Sequence, residues 1–116
     1  MKSSSLEFNG TLIDIDNEGF LLDPDDWSEE LALAIASQFE LELSDQHNEI
    51  ISFIRSYFQA SETVPEARKV LKHMKKLWGA ELATRKYLYR LFPHGYGQAA
   101  CKIAGMRKPL KLMLDV

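Results

Sequence analysis

The residues of this chain that could do chemistry gather in its last third. Its one cysteine, Cys101, is followed by Lys102 and lies downstream of the turn Pro93-His94-Gly95. A thiol attacks or accepts sulfur as the thiolate, so its ordinary pKa near ~8.5 must be lowered by nearby positive charge or a helix N-terminus. Lys102, with Arg90 and Arg107 drawn in by folding, could supply that charge, and His94 is the histidine placed to give or take a proton beside the sulfur. The helix dipole works the other way, because Cys101 falls in the C-terminal half of an alanine-rich segment. From residue type alone, such a cysteine is a small buried hydrophobe.

Charge is distributed by position. Residues 1–50 hold thirteen Asp/Glu against the single Lys2, whereas residues 82–114 hold seven Lys/Arg and no acid. The two ends could neutralise each other across the folded surface. Alternatively Arg85, Lys86, Arg90, Lys102, Arg107, Lys108 and Lys111 form a docking face for an acidic partner or for phosphates.

Other chemistries find little support. His47, His73 and His94 lack the spacing of about two to four residues that sets two ligands on one zinc ion, so no metal and no cofactor is expected. There is no glycine-rich phosphate loop, no Ser-His-Asp order and no H-E-x-x-H. Asp14 and Asp16 share a strand face and read as solvated. Tyr87, Tyr89 and Tyr96 interleave with Arg85, Lys86 and Arg90 in a way that suits base stacking, though at helical spacing they read more simply as core and boundary residues.

These side chains need a scaffold, and 116 residues suffice for one domain with one core. Apolar content of 46% and charged content of 27% are ordinary for a globular chain. No segment has the apolar length to cross a bilayer; the longest clean run is Leu31 to Ala36. Met1 to Phe8 lacks the apolar stretch of a secretory signal, and one cysteine allows no internal disulfide, so the cytoplasm is the expected compartment. Asn9-Gly10 between Leu6, Phe8 and Leu12, Ile13, Ile15 predicts a β-hairpin, and Asn17-Glu18-Gly19 a turn before Phe20-Leu21-Leu22. Ser28 caps a first helix with Leu31, Ile35 and Phe39 on one side, and Ser44 caps a second that ends near Ala60. A third starts at Thr63 with Pro65 in its first turn and closes at Gly79; Val64, Ala67, Leu71, Met74 and Trp78 face inward. A fourth spans about 84–92, and a short fifth about 97–104 with Gly105 as its stop.

The block Leu88-Tyr89-Arg90-Leu91-Phe92-Pro93-His94-Gly95, followed by Cys101-Lys102-Ile103-Ala104-Gly105 and Lys108-Pro109, resembles the C-terminal signature of the DsrC/TusE family. These are small sulfur-relay proteins whose C-terminal arm carries sulfur on cysteine, and the likeness extends more loosely over almost the whole chain. The resemblance implies one of two roles in sulfur trafficking. One is accepting a persulfide from an upstream sulfur-transfer complex and passing it toward tRNA uridine thiolation; the other is partnering sirohaem sulfite reductase. In sulfur-handling members the arm ends in a penultimate cysteine just after the Lys-Pro pair, and here Leu112 stands in that place. Cys101 matches the family's second cysteine, which in relatives lies near the folded-back arm and can pair with the terminal one. Relatives also commonly have proline where Tyr96 and Arg107 stand, so the arm's path is expected to differ.

Together these readings predict a mainly α (α+β) fold in a single domain of residues 1–116. It comprises a β-hairpin region 1–22, a core of about five helices over 23–105, and a C-terminal arm 106–116 anchored by Leu110, Leu112, Met113 and Leu114. The functional expectation is a protein that docks on sulfur-transfer or sulfite reductase partners through Arg85, Arg90, Lys102, Arg107, Lys108 and Lys111 without the usual carrier thiol. One alternative is a sulfurtransferase relay with Cys101 as sole acceptor. Another is a DNA-binding regulator built on a helix-turn-helix-like pair within 63–92, against which the net acidic charge weighs. No membrane association is expected.

Overall fold

The computed structural model describes residues 4–108. The expected arm anchors, and the docking residue Lys111, lie outside the described residues.

Strand β1 (Ser4–Phe8) pairs antiparallel with β2 (Thr11–Ile15), setting Leu6 opposite Ile13 and Phe8 opposite Thr11. Asn9 and Gly10 both take positive φ, 53° and 79°, the geometry of a two-residue turn whose twist matches that of the strands. Ile13 points into the core while Leu12 stays in water, the two-residue alternation of a half-buried ribbon. The Asp16 carboxylate then accepts from the backbone N–H of Glu18 (2.8 Å) and of Phe20 (3.0 Å). This side-chain-closed turn folds Phe20 and Leu21 back into the core, where Leu21 meets Ile15 in a single bridge.

Helices occupy most of the remainder. A 3-10 turn at Pro24–Asp26, closed by Asp23, leads to α1 (Glu29–Gln38). Ser28 Oγ accepts from the Leu31 N–H, and Glu29 and Glu30 sit in the first turn, where the dipole favours acids. Helix α2 (Asp45–Ser61) begins at Ser44 and ends at Glu62 in the left-handed region, φ 58°. Its stripe of Ile50, Ile51 and Ile54 is buried, and the helix packs on the one that follows it and on the C-terminal helix. Helix α3 (Ala67–Trp78) starts later than its sequence predicts. Val64 precedes a proline and is disfavoured in helical geometry, so residues 63–66 run as a connection and Pro65 precedes the helix instead of opening it. Helix α4 (Arg85–Leu91) is capped by Thr84, whose hydroxyl accepts from the Tyr87 N–H at 3.1 Å.

The fifth helix departs most from expectation. In place of one α-helix over 97–104, a π turn at Tyr96–Ala100 feeds a short α5 (Cys101–Ile103). Tyr96, Ala99, Ala100, Cys101, Ile103, Ala104 and Met106 are all buried. The alanines let α1 and α2 close on this segment, making it the centre of the core.

Two long-range polar devices lock the arrangement. Buried His47 accepts the Ser44 N–H at Nδ1 (3.0 Å), which fixes the proton on Nε2, and that nitrogen donates to the Leu91 carbonyl (2.6 Å). One imidazole thus closes the start of α2 and the end of α4. Trp27 Nε1 donates to the Ile103 carbonyl (2.9 Å), and Arg55 Nη1 donates to the Ala104 carbonyl (2.9 Å). The Arg55 guanidinium lies 4.2 Å from the Trp27 ring centroid, and Nη2 reaches the Pro24 carbonyl at 3.3 Å. Burial lowers the Arg55 pKa, and Asp25 partly offsets the effect.

Gly105 sits against this clamp at φ 76°, and a Cβ there would come within 2.5 Å of Trp27 Cδ1. Gly105→Ala is expected to cost about 2 kcal/mol or more, because overpacking adds to positive-φ strain. Gly10→Ala, whose Cβ would meet nothing within 4 Å, should cost about 1–2 kcal/mol from φ alone. Urea unfolding of the two variants, read side by side, checks the difference.

Candidate functional site

The π turn governs the position of Cys101. Its backbone N–H returns to the Tyr96 carbonyl, five residues back, which stacks residues 96 and 101 instead of the usual i and i+4 pair. The two side chains lie near enough inside the core to shift each other's ionisation. Tyr96 Oη donates to the Pro65 carbonyl at 2.5 Å. A phenol has one proton, and in this arrangement it is given to the Pro65 carbonyl.

Cys101 is fully buried, at 0% exposure. Burial pushes its thiol up to about 12, and the Tyr96 hydrogen bond pulls back only part of that rise. Burial likewise raises Tyr96 well above the usual phenol range, with Cys101 contributing. The thiolate-stabilising cations expected from the sequence are elsewhere. Lys102 Nζ donates to the Glu18 carbonyl (2.6 Å) and stands 4.8 Å from the Phe20 ring centroid and 5.6 Å from that of Phe39. His94 is exposed and lies against Phe39, with ring centroids 5.0 Å apart. In the folded state, then, Cys101 is a protonated, enclosed thiol.

Two members of the basic segment read from the sequence engage Glu18. Lys102 turns onto the hairpin side at Glu18, and Lys108 pairs with the Glu18 carboxylate, which raises the Lys108 pKa. Arg107 is exposed beside it. Arg85, Lys86 and Arg90 project from α4, next to α3 through the edge contact of Trp78 with Tyr87.

Three residues essential to this geometry escape a reading by residue type. Tyr96 is five places from Cys101, a spacing that leaves two residues on different faces of an α-helix. Trp27 reads as a packing residue, and its indole proton has a particular carbonyl to satisfy. Arg55 had a usable signal: it follows Ile51 by four residues and precedes Phe58 by three, so it lies on the apolar face of α2. An open groove of about 440 Å³ runs between α1 and α2, walled in part by Trp27, Leu33, Leu43, Ile51 and Arg55. It passes outside the clamp and does not reach the sulfur.

Two outcomes test the enclosed thiol. Iodoacetamide should label Cys101 rapidly in denaturant and very slowly in native protein near pH 8. The raised pKa also has a defined sign: the folded chain keeps a proton that the unfolded chain loses near 9. The thiol's contribution to stability is therefore complete below about pH 9 and is lost as pH rises toward about 12, by up to roughly 1.4 kcal/mol per pH unit. Urea titrations at pH 9 and pH 10 should show this slope in the native sequence and its reduction in Cys101→Ala. Tyr96→Phe, which leaves the Pro65 carbonyl unpaired, should cost about 1–3 kcal/mol.

Comparison with known proteins places the site in a wider set. The family model described as "DsrC like protein" matches residues 7–113. The sulfurtransferase TusE of Yersinia pestis is 43% identical over 106 residues, covering 91% of this chain and 97% of that protein. The TusE of Salmonella typhimurium is also 43% identical over 106 residues, again covering 91% and 97%. The crystal structure of the oxidised gamma-subunit of dissimilatory sulfite reductase, DsrC, from Archaeoglobus fulgidus superimposes with a TM-score of 0.81 at 38% identity, covering 91% of this chain and 96% of that one. The NMR structure of Allochromatium vinosum DsrC gives 0.82 at 37% identity, with 94% and 97% covered. With a model matched across nearly the whole length and relatives well above 30% identity on both sides, this chain belongs to the DsrC family.

Proposed function

We propose that this protein works in a protein-borne sulfur relay of the TusE kind, in the reducing cytoplasm, with Cys101 as the carrier. The observation that supports this most directly is that Cys101 is the chain's one cysteine and lies in a segment matched by sulfurtransferases along almost their full length. Any sulfur held covalently on this chain as a persulfide must sit there. The step balances without an added oxidant. The Cys101 thiolate attacks the outer sulfur of a donor persulfide, the donor's S–S bond breaks, the donor leaves as a thiolate, and a Cys101 persulfide forms. Delivery repeats the exchange onto the next acceptor.

The buried geometry defines what such a relay needs. The core around Tyr96 and Cys101 must open to admit a donor, and Tyr96 must release the Pro65 carbonyl so that its proton can face the nascent thiolate. A partner that draws Pro65 and the start of α3 aside would do both. Burial also favours a second reading, in which the chain docks on relay partners without carrying sulfur, because neither Cys101 in its closed core nor Leu112, which lies outside the described residues, offers an accessible thiol.

Persulfide loading read by intact-mass spectrometry separates the two. A protein persulfide donor is expected to add one sulfur to the native chain and none to Cys101→Ser. No loading of the native chain by a donor that loads Leu112→Cys would overturn carriage by Cys101 and leave docking as the role.

A further inference from the structure

Helix α3 crowds like charges along its exposed side, with Lys75 and Lys76 in the last turn, where the dipole favours them. Arg68, Lys69, Lys72, Lys75 and Lys76 are all exposed, and the helix contains no acid. Arg68 with Lys72, Lys72 with Lys76, Lys69 with Lys72 and Lys72 with Lys75 are like charges at i,i+4 or i,i+3, an arrangement that destabilises a helix. Two of the five cations stand in the first turn, where the dipole repels them, and Glu66 at the N-cap makes no side-chain cap bond. Every other long helix of this chain carries a side-chain cap.

Most of these cations have no carboxylate partner among the described residues. Arg68 pairs with Glu66, but among the described residues no carboxylate pairs with Lys69, Lys72, Lys75, Lys76, Lys86 or Arg90. From residue 67 to 91 there are eight Lys/Arg and one acid, Glu81; the other residues hold six Lys/Arg and sixteen acids. Residues 67–91 therefore carry a strong excess of positive charge in a chain that is acidic elsewhere. Leu77 (45% exposed) and Tyr89 (43% exposed) add apolar surface there, beside half-buried Trp78 and Tyr87.

We propose that the α3–α4 face is a docking surface for a protein partner that presents a cluster of carboxylates around a small apolar centre. Charge complementarity identifies the occupant: uncompensated lysines steer and orient an acidic surface, while Leu77 and Tyr89 supply the contact that excludes water. A nucleic acid fits less well. Helix α3 is only about 18 Å long at 1.5 Å per residue, so a polyanion would run past it toward the acid-rich remainder. Tyr89 is the one aromatic here that is open enough to stack a base. The face is distinct from Cys101 and does not depend on sulfur being carried there.

The test uses two probes of matched charge, a polyglutamate peptide and a short RNA duplex, with binding followed by anisotropy and by amide chemical shifts. Polyglutamate is expected to bind at low salt, to move amide signals in α3 and α4, and to weaken as salt rises to about 0.15 M. Lys69→Glu, Lys72→Glu, Lys75→Glu and Lys76→Glu combined should weaken it about tenfold or more. Lys72→Glu alone should weaken binding while raising the melting temperature, since it converts repulsions with Arg68 and Lys76 into attractions; that opposed pair of effects is not expected of a merely solvated face. Tighter binding of RNA than of polyglutamate would replace the protein partner with a nucleic acid. No binding of either probe, or equal weakening by Arg107→Glu with Lys108→Glu, would overturn the proposal. Persulfide loading reads a mass on Cys101 and is unaffected by any of these results.

Discussion

The clamp of Trp27 and Arg55 on the carbonyls of Ile103 and Ala104 is the constraint on which the site depends. A helix of three residues cannot hold itself in an apolar core, because its terminal carbonyls would be left without partners at a cost of about 1–3 kcal/mol each. Here an indole N–H and a guanidinium satisfy them, from residues 76 and 49 positions away in the chain. Gly105 allows the close approach by having no side chain to meet Trp27. With its end satisfied, α5 can sit at the centre, and α1 and α2 close over its alanines.

That closure determines the state of the sulfur. The same burial that completes the core raises the thiol to about 12 and leaves Tyr96 as its polar neighbour. The phenol is committed to the Pro65 carbonyl, so the turn before α3 is tied to the π turn that carries Cys101. Reactivity in such a site becomes a property of opening. The energy that seals the thiol must be supplied before any reagent can reach it.

Charge separation follows from the same architecture. Lys102 and Lys108 fold onto Glu18 and so draw the acidic hairpin turn to the C-terminal segment. This neutralises one part of the basic sequence. Among the described residues Lys69, Lys72, Lys75 and Lys76 on α3 pair with no carboxylate, so positive charge also gathers on an element outside residues 82–114.

What the sequence by itself determined is what a few neighbouring residues decide. Asn9-Gly10 turns because both positions accept positive φ; Ser28, Ser44 and Thr84 start helices because their oxygens reach an amide three residues on. The inward faces of α1 and α2 follow from apolar spacing, and the signature from Leu88 to Lys108 was enough to indicate the family. Tertiary structure decided the rest. The start of α3, the π turn that stacks Tyr96 on Cys101, the transfer of Lys102 and Lys108 to Glu18 and the use of Arg55 as a cap all join groups far apart in the chain. Spacing carries no record of such contacts. The sign of the pKa shift at Cys101 belongs with them, because a thiol's ionisation answers to the water and charge around it, and those are set by what the core encloses.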